Sequence, residues 1–214
     1  MPSRKDIENK VKSITSTEDV YDFFSFLGYD EVLLDPEYKR DVEDLQLKDA
    51  AEEKVQDIYA VAEIGESYSK KSIFLIETNT LSRGFFKYVG ERANRSFGSS
   101  LLVLTVDYSR LLFVLPTVEL AGKGEQDVKV VTLELDIENP TYTDISILEG
   151  LIYDGDEYAN HWKEALNVEK VTKDFFKDYL GQFQKIRTVV SDQGIGLDDA
   201  HEYSLQLLNR LMMV

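Results

Sequence analysis

The chain has 214 residues, a formal net charge of −16, 43% hydrophobic residues and no cysteine. These values predict a globular protein with one sizeable domain and an appendage, and they exclude disulfides and thiolate metal sites. The negative net charge argues against nucleic-acid binding by the whole surface, because phosphates attract lysine and arginine. It is compatible with one local basic face. No signal peptide and no apolar run of the ~20 residues that span a bilayer is present, so we expect a cytoplasmic protein without membrane contact.

The first third of the chain contains one clear helix signal. Ser16 is a typical N-cap, residues 20–27 place apolar side chains on one side, and Gly28 is a typical helix end. A short strand is predicted over 29–34. The densely charged stretch 39–54 is predicted to be a helix or a long loop on the surface.

The middle of the chain has the signals of a sheet. Strands are predicted at 58–64, 72–77, 101–106, 111–116 and 128–136, and an amphipathic helix at 81–97. The strand at 72–77 is apolar on both faces, which is typical of a central strand. The order helix, three strands, helix, three strands predicts an α/β (α+β) fold with a mixed central sheet flanked by helices.

The character changes after Pro140. A short helix is predicted at 142–153, a linker at 154–156, and only helices beyond it. We therefore predict two regions, an α/β domain at 1–153 and a helical region at 154–214. The last helix becomes more apolar toward Val214 and no stop signal follows, so we expect a fragment of a longer protein.

Glu77 ends a buried strand, a position where carboxylates are rare unless they have a partner or a metal. Together with Asp57, which precedes the neighbouring strand, it is similar to the acidic pair of PD-(D/E)xK nucleases, and two such acids can hold Mg²⁺. The third catalytic position of that pattern is Lys, but here it is Asn79. Lys87 or Arg83 in the following helix could supply the missing positive charge from a displaced position.

Other interpretations of Glu77 remain open. It could cap the helix that begins near Leu81, or form an ion pair with Arg83 at the sheet edge. The site could also be degenerate, keeping the shape of a nuclease site without its activity.

The helix at 81–97 carries the main basic cluster of the chain. Its members are Arg83, Lys87, Arg92 and Arg95. Because Arg83 and Lys87 lie four residues apart, they share a face and could contact DNA phosphates. A solvated helix face is the alternative, since basic residues commonly occupy the exposed side of a helix.

Three segments carry a resemblance to a known family. Residues 161–176 (HWKEALNVEKVTKDFF) and 204–213 (SLQLLNRLMM) resemble segments found ahead of the methyltransferase in fused type II restriction–modification enzymes. Those enzymes are DNA adenine methyltransferases with an N-terminal nuclease-like domain. The block at 73–116 is similar to the strand, helix and hairpin of that family, through Leu81-Ser82-Arg83 and the hairpin strand 111–116.

The resemblance implies a restriction-endonuclease-like fold and a role in restriction–modification or phage defence. It implies double-stranded DNA and the parent's methyltransferase domain as partners, possible Mg²⁺-dependent DNA cleavage, and S-adenosylmethionine binding only beyond Val214. The alternative is a noncatalytic module that docks a methyltransferase or a target-recognition domain. The charge of −16 and the missing lysine favour this alternative, whereas the element order and the acidic pair favour the nuclease.

Overall fold

The computed structural model describes residues 2–65, 70–120, 126–153, 155 and 161–212, except for the side chains of 119–120, 126–127, 168–175 and 212. The chain forms two compact units, Met1–Asn167 (unit 1) and Val168–Val214 (unit 2). Unit 1 extends past the division after residue 153 that the sequence suggested. How these units correspond to domains stays a prediction.

Unit 1 is a mixed α+β structure. Its α-helices are α1 (Arg4–Lys12), α2 (Thr17–Phe24), α3 (Asp49–Glu52), α4 (Arg83–Phe97), α5 (Tyr142–Gly150) and α6 (His161–Ala165). Its strands are β1 (Lys39–Arg40), β2 (Val55–Ile64), β3 (Lys71–Thr78), β4 (Ser100–Thr105), β5 (Arg110–Leu120) and β6 (Gln126–Asp136). The five long strands and α4 confirm the strand and helix predictions for the middle of the chain.

The six strands form one sheet in the order β1-β2-β3-β4-β5-β6. Only β3 and β4 run parallel, and α4 is the connection between them, since parallel neighbours need a crossover. The other neighbours are antiparallel. The mixed sheet with helices agrees with the predicted α+β class.

Alternate side chains of the strands point to opposite faces of the sheet. One face, which we call the α4 face, carries Phe74, Ile76 and Leu104 in a buried cluster with Phe85 and Val89 of α4. The opposite face, which we call the Glu77 face, carries Leu75, Val103 and Phe113, also fully buried. Both faces of the central strands are thus covered, which explains why their sequences are apolar without alternation.

The segment after α2 differs from its prediction. Residues Ser25–Tyr29 continue as a π-helical turn, in which Gly28 has φ +94°. Beyond it only Leu33 forms an isolated bridge, to Ala62. The predicted strand at 29–34 is therefore wrong, and the edge strand is β1 instead. Tyr29 ends the π-helical turn, whereas Val32 and Leu34 form single backbone hydrogen bonds with Glu63 and Val61 of β2, which do not make a strand. Hydrophobicity alone does not separate such a segment from a short strand.

The N-terminal helix α1 was not predicted from the charged segment that forms it. Ser3 accepts a hydrogen bond from the amide of Asp6, and the Asp6 carboxylate accepts one from the amide of Ser3, which is a capping box. Ile7 and Val11, four residues apart, are fully buried. Two apolar positions and a cap thus suffice for a helix that tertiary packing stabilises.

Unit 2 consists of α7 (Val168–Asp192) and α8 (Leu197–Met212). Tyr179 donates a hydrogen bond to Asn209, and the rings of Phe183 and His201 meet edge to face at 5.0 Å. These pairs define an antiparallel helical hairpin, in agreement with the predicted helical character beyond the linker. Within the described part of the chain, no helix is long and apolar enough to cross a membrane.

Candidate functional site

The register of β2 against β3 places the two predicted acids side by side. Asp57 lies directly opposite Glu77 in the antiparallel pair, so both side chains emerge on the Glu77 face. Such cross-strand neighbours have Cβ atoms about 4.5–5.5 Å apart. Glu77 is directly followed by the end of β3, which leaves its carboxylate at the rim of the sheet and half-buried.

One oxygen of Glu77 is held by two hydroxyl groups. Oε1 accepts hydrogen bonds from the phenol of Tyr108 and from Oγ1 of Thr17, at 3.2 Å for the latter. The two hydroxyls also lie 2.7 Å from each other. Thr17 is the first residue of α2, whose N-cap is Ser16, so the helix start brings its hydroxyl to the strand end.

Tyr108 has an unusual backbone conformation in the turn between β4 and β5. Its φ is +61°, which is uncommon for a large L-residue. The turn is pinned by a bond from the Tyr108 amide to Oγ1 of Thr105 (2.9 Å) and by Asp107, which accepts two bonds from Ser109. Burial, and then Glu77, raise the pKa of Tyr108, so its phenol stays protonated and donates to the carboxylate.

Asp57 has a different partner, Lys39 of the edge strand β1. Lys39 is paired with Tyr59 in the sheet and therefore lies on the Glu77 face. Its Nζ is 2.9 Å from Oδ1 of Asp57 and 4.9 Å from the centre of the Tyr59 ring. The bond to Asp57, followed by one to Tyr59, raises the pKa of Lys39, which keeps the amine charged at neutral pH.

Glu77, Tyr108, Thr17, Lys39 and Tyr59 border an open cleft of about 450 Å³, whereas Asp57 is not among its lining residues. It is lined by Thr15, Ser16, Thr17, Glu18, Pro36, Glu37, Lys39, Tyr59, Glu77 and Tyr108. Among these lining residues, three are carboxylates and Lys39 is the one cation. The cleft therefore has a net negative charge, which attracts cations and repels a phosphate whose charge is not neutralised.

Carboxylate oxygens are the ligand type that a hard divalent cation prefers. In the described residues no group of three or more His, Cys, Asp or Glu side chains is placed to hold a metal. Mg²⁺ commonly uses only one or two protein carboxylates and completes its shell with waters and substrate phosphates. Asp57 and Glu77 are ligands of the type that this mode uses, but Asp57 is ion-paired with Lys39 and is not among the residues that line the cleft.

Asn79 does not line the cleft. Its carbonyl oxygen accepts a bond from Gln56 at 2.6 Å, its amide nitrogen donates weakly to the backbone of Glu53, and its backbone amide donates to Lys54. These contacts tie the end of β3 to the start of β2. The structure thus gives Asn79 a role in fixing the chain after Glu77.

The basic cluster lies on α4 and does not join the acids. Because α4 packs on the α4 face, the sheet separates its side chains from Asp57 and Glu77. Lys87 is 3.8 Å from Glu91 on its own helix, and Arg92 lies over the ring of Tyr88. Arg83 and Arg95 are exposed on the same helix. No ion pair between Glu77 and Arg83 occurs in the described residues, and no described bond makes Glu77 a cap of α4.

Sequence reasoning missed Lys39, Tyr108 and Thr17, which contact the acids. We expected a positive charge near the acidic pair and predicted it on α4. Lys39 of β1 supplies it instead. Lys39 lies in a Tyr-Lys-Arg stretch, which the sequence alone does not identify as an edge strand. Its pairing with Tyr59 in the sheet identifies it.

Comparisons of the chain with protein-family models, with curated proteins and with solved structures found no significant match.

Proposed function

We propose that unit 1 is a nuclease-like domain of a restriction–modification enzyme, in which Asp57 and Glu77 hold Mg²⁺ against a phosphodiester of double-stranded DNA. The observation that supports this most directly is the cross-strand pairing of the two carboxylates, of which Glu77 lines an open cleft. Glu77 also keeps a fixed orientation, because both described bonds to its carboxylate go to Oε1.

In the proposed reaction, a water oxygen forms a new bond to phosphorus and one bridging P–O bond breaks. The leaving alkoxide takes the proton that the water loses. Mg²⁺, when bound, supplies charge neutralisation and activates water. Asp57 and Glu77 would hold and orient it, and the described hydroxyl bonds of Thr17 and Tyr108 both go to Oε1 of Glu77.

The test is plasmid nicking by the full chain with Mg²⁺ or Mn²⁺. We expect cation-dependent nicking that falls by at least about 100-fold in Glu77→Gln and Asp57→Asn, since a preorganised charged group at a reacting phosphate is worth about that much. Glu63→Gln is the matched control, because Glu63 is also on β2 and also ion-paired, with Lys70 and Arg40. Absence of nicking, or equal nicking by the Glu77 variant, would contradict the catalytic proposal.

A noncatalytic interaction module is the second candidate. It is favoured by the partners that both acids already have, Lys39 for Asp57 and Tyr108 with Thr17 for Glu77. It is also favoured by the placement of the α4 basic residues across the sheet from the acids. In this case the sheet is a scaffold that docks a methyltransferase or target-recognition domain, and the protein neither nicks DNA nor binds Mn²⁺ through Glu77.

A further inference from the structure

The last strand of the sheet, β6, has an open outer side in the part of the chain that the structure describes. Gln126–Asp136 pairs with β5 on its inner side, and no described strand pairs with its outer side. Among the described residues, no backbone–backbone hydrogen bond joins β6 to a group outside β5. Alternate residues of an antiparallel edge strand direct their N–H and C=O groups outward. The edge therefore presents a row of donors and acceptors that another extended strand can pair.

We propose that β6 pairs antiparallel with β6 of a second copy of the chain. A two-fold axis lets one edge strand pair with its own copy, so the same surface serves both partners. The two sheets then join into one continuous sheet, and both copies lose their long open edge. This inference goes beyond the proposed cleavage and does not depend on Asp57, Glu77 or a metal.

The two edges of the sheet differ in their capacity to pair. β1 consists of two residues, Lys39 and Arg40, and short, charged edge strands resist pairing between chains. β6 has eleven residues, and its middle part, 128–133, reads Val-Lys-Val-Val-Thr-Leu. That part has four β-branched residues, one charge and neither Pro nor Gly, a composition typical of strands that pair between chains. Contact between copies is therefore expected at β6 and not at β1.

One register pairs the full length of both strands. It places the two-fold axis at Val131, the midpoint of the strand, and each of the eleven residues then has a partner. Any shift leaves one end of each strand unpaired. In this register Lys129 of one copy lies opposite Leu133 of the other, and Glu134 lies opposite Val128. Like charges of residues 128–134 therefore do not lie opposite each other, and Val131 lies opposite its own counterpart.

Charge substitutions at Val131, which is half-buried, test both the edge and the register. At about 100 µM protein and about 500 mM NaCl, where salt screens the repulsion between two copies of charge −16, we expect a dimer by sedimentation equilibrium. Val131→Lys and Val131→Glu should each weaken the dimer at least about tenfold, because like charges then lie directly opposite each other. An equimolar mixture of the two variants should regain at least about tenfold in affinity, since opposite charges then meet at the axis.

Val118→Lys is the matched control. Val118 lies opposite Val128 in the same hairpin and is 45% exposed, but it belongs to β5, so β6 separates it from the second copy. The dissociation constant of this variant should stay within about threefold of the wild-type value. Circular dichroism and thermal unfolding confirm that each variant is folded.

Hydrogen exchange measures the backbone pairing directly. The outward amides of β6 should exchange at least about tenfold more slowly at a protein concentration where the dimer dominates than at one where the monomer dominates. The amides of β4 should not change, because β3 and β5 already pair with both sides of that strand.

Several results would overturn the inference. A monomer under these conditions contradicts it, and so do oligomers larger than a dimer, because β1 is too short to continue the sheet. A dimer that withstands both Val131 charges, or whose β6 amides exchange at an unchanged rate, uses another surface. If the β6 amides are protected but the mixed variants do not regain affinity, the register centred on Val131 is wrong.

Discussion

Hydrogen bonds of Asp19 order the segment that places Thr17 next to Glu77 in the cleft. Asp19 accepts bonds at one oxygen from the amide and hydroxyl of Thr15 (both 2.8 Å) and from the hydroxyl of Ser16 (3.1 Å). These bonds order the residues immediately before Thr17, whose hydroxyl reaches Glu77. The Thr15 bonds, ahead of those from Ser16, lower the pKa of Asp19.

This arrangement predicts a pH-dependent stability contribution at Asp19. Asp19→Ala should lower the free energy of unfolding by about 1 kcal/mol at pH 7, the usual value of a helix-start bond network. Because the pKa in the folded state lies below its ordinary value of 3.8, the contribution is present above that value and is lost as the pH falls through the lower folded pKa. Urea unfolding of both proteins between pH 7 and pH 2.5 measures the difference.

Asp22→Ala is the control for this experiment. Asp22 lies on the same helix, its side chain is 70% exposed, and its ion pair with Lys10 is long at 3.6 Å. We expect a change within about 0.5 kcal/mol. An Asp19→Ala effect that persists unchanged at pH 2.5 would show that packing, and not the carboxylate, is responsible.

At the scale of elements, the π-helical turn and the end of α5 are joined by close contacts. Tyr29 is fully buried; its hydroxyl donates to the backbone of Leu151 at 3.1 Å and accepts from the indole of Trp162 at 2.9 Å. The adjacent Gly28 has φ +94°, and a Cβ added there would clash with the carbonyl oxygen of Tyr153. The turn therefore requires glycine both for its backbone conformation and for the close approach of a second segment.

We predict opposite effects for two Gly→Ala changes in unit 1. Gly28→Ala should lower the free energy of unfolding by about 3 kcal/mol or more, through backbone strain and a clash with backbone atoms. Gly84→Ala should raise it by about 0.4–1 kcal/mol, because Gly84 lies in the first turn of α4 and nothing lies within 4 Å of its added Cβ. Urea unfolding measures both. A destabilisation by Gly28→Ala no greater than about 1 kcal/mol would mean that the Tyr153 segment moves away freely.

The whole molecule carries a net charge of −16, and self-repulsion of this kind opposes the compact state. Ion pairs on the surface act against this repulsion. Two of them are Arg4–Glu149, whose side chains are 45% and 41% exposed, and Arg110–Glu134, whose side chains are 60% and 57% exposed. Exposed pairs contribute little each and are screened by salt. Net repulsion should therefore dominate the electrostatic free energy of folding.

Added salt should accordingly stabilise this protein. Raising NaCl from about 20 mM to about 500 mM, where the screening length falls to a few ångströms, should increase the free energy of unfolding by about 1 kcal/mol. Thermal or urea unfolding across the salt series measures it, with an uncharged solute at equal osmolarity as control. A decrease in stability with salt would show that the ion pairs outweigh the repulsion.

The local pattern of the sequence was sufficient for the elements of the sheet and for α4. A strand that is buried on both faces must be apolar throughout, and α4 must carry an apolar side, so both appear as continuous signals within a few residues. The same reasoning was wrong for 29–34, since an apolar helical turn and a short strand have similar compositions. It also missed α1, whose buried side needs only Ile7 and Val11.

For the candidate site, the local sequence pattern was sufficient to mark Glu77 as an unusual carboxylate. Glu77 ends an apolar strand, and desolvation makes a carboxylate at such a position costly unless something binds it. The groups that surround Glu77 depend instead on how distant segments of the chain pack together. Lys39 and Thr17 reach the two acids across 18 and 60 residues of chain, and the two-residue alternation of the strands decides that α4 lies on the opposite face. Strand register is a long-range property of the sheet, and for that reason no local pattern could place the positive charge of the cleft on β1.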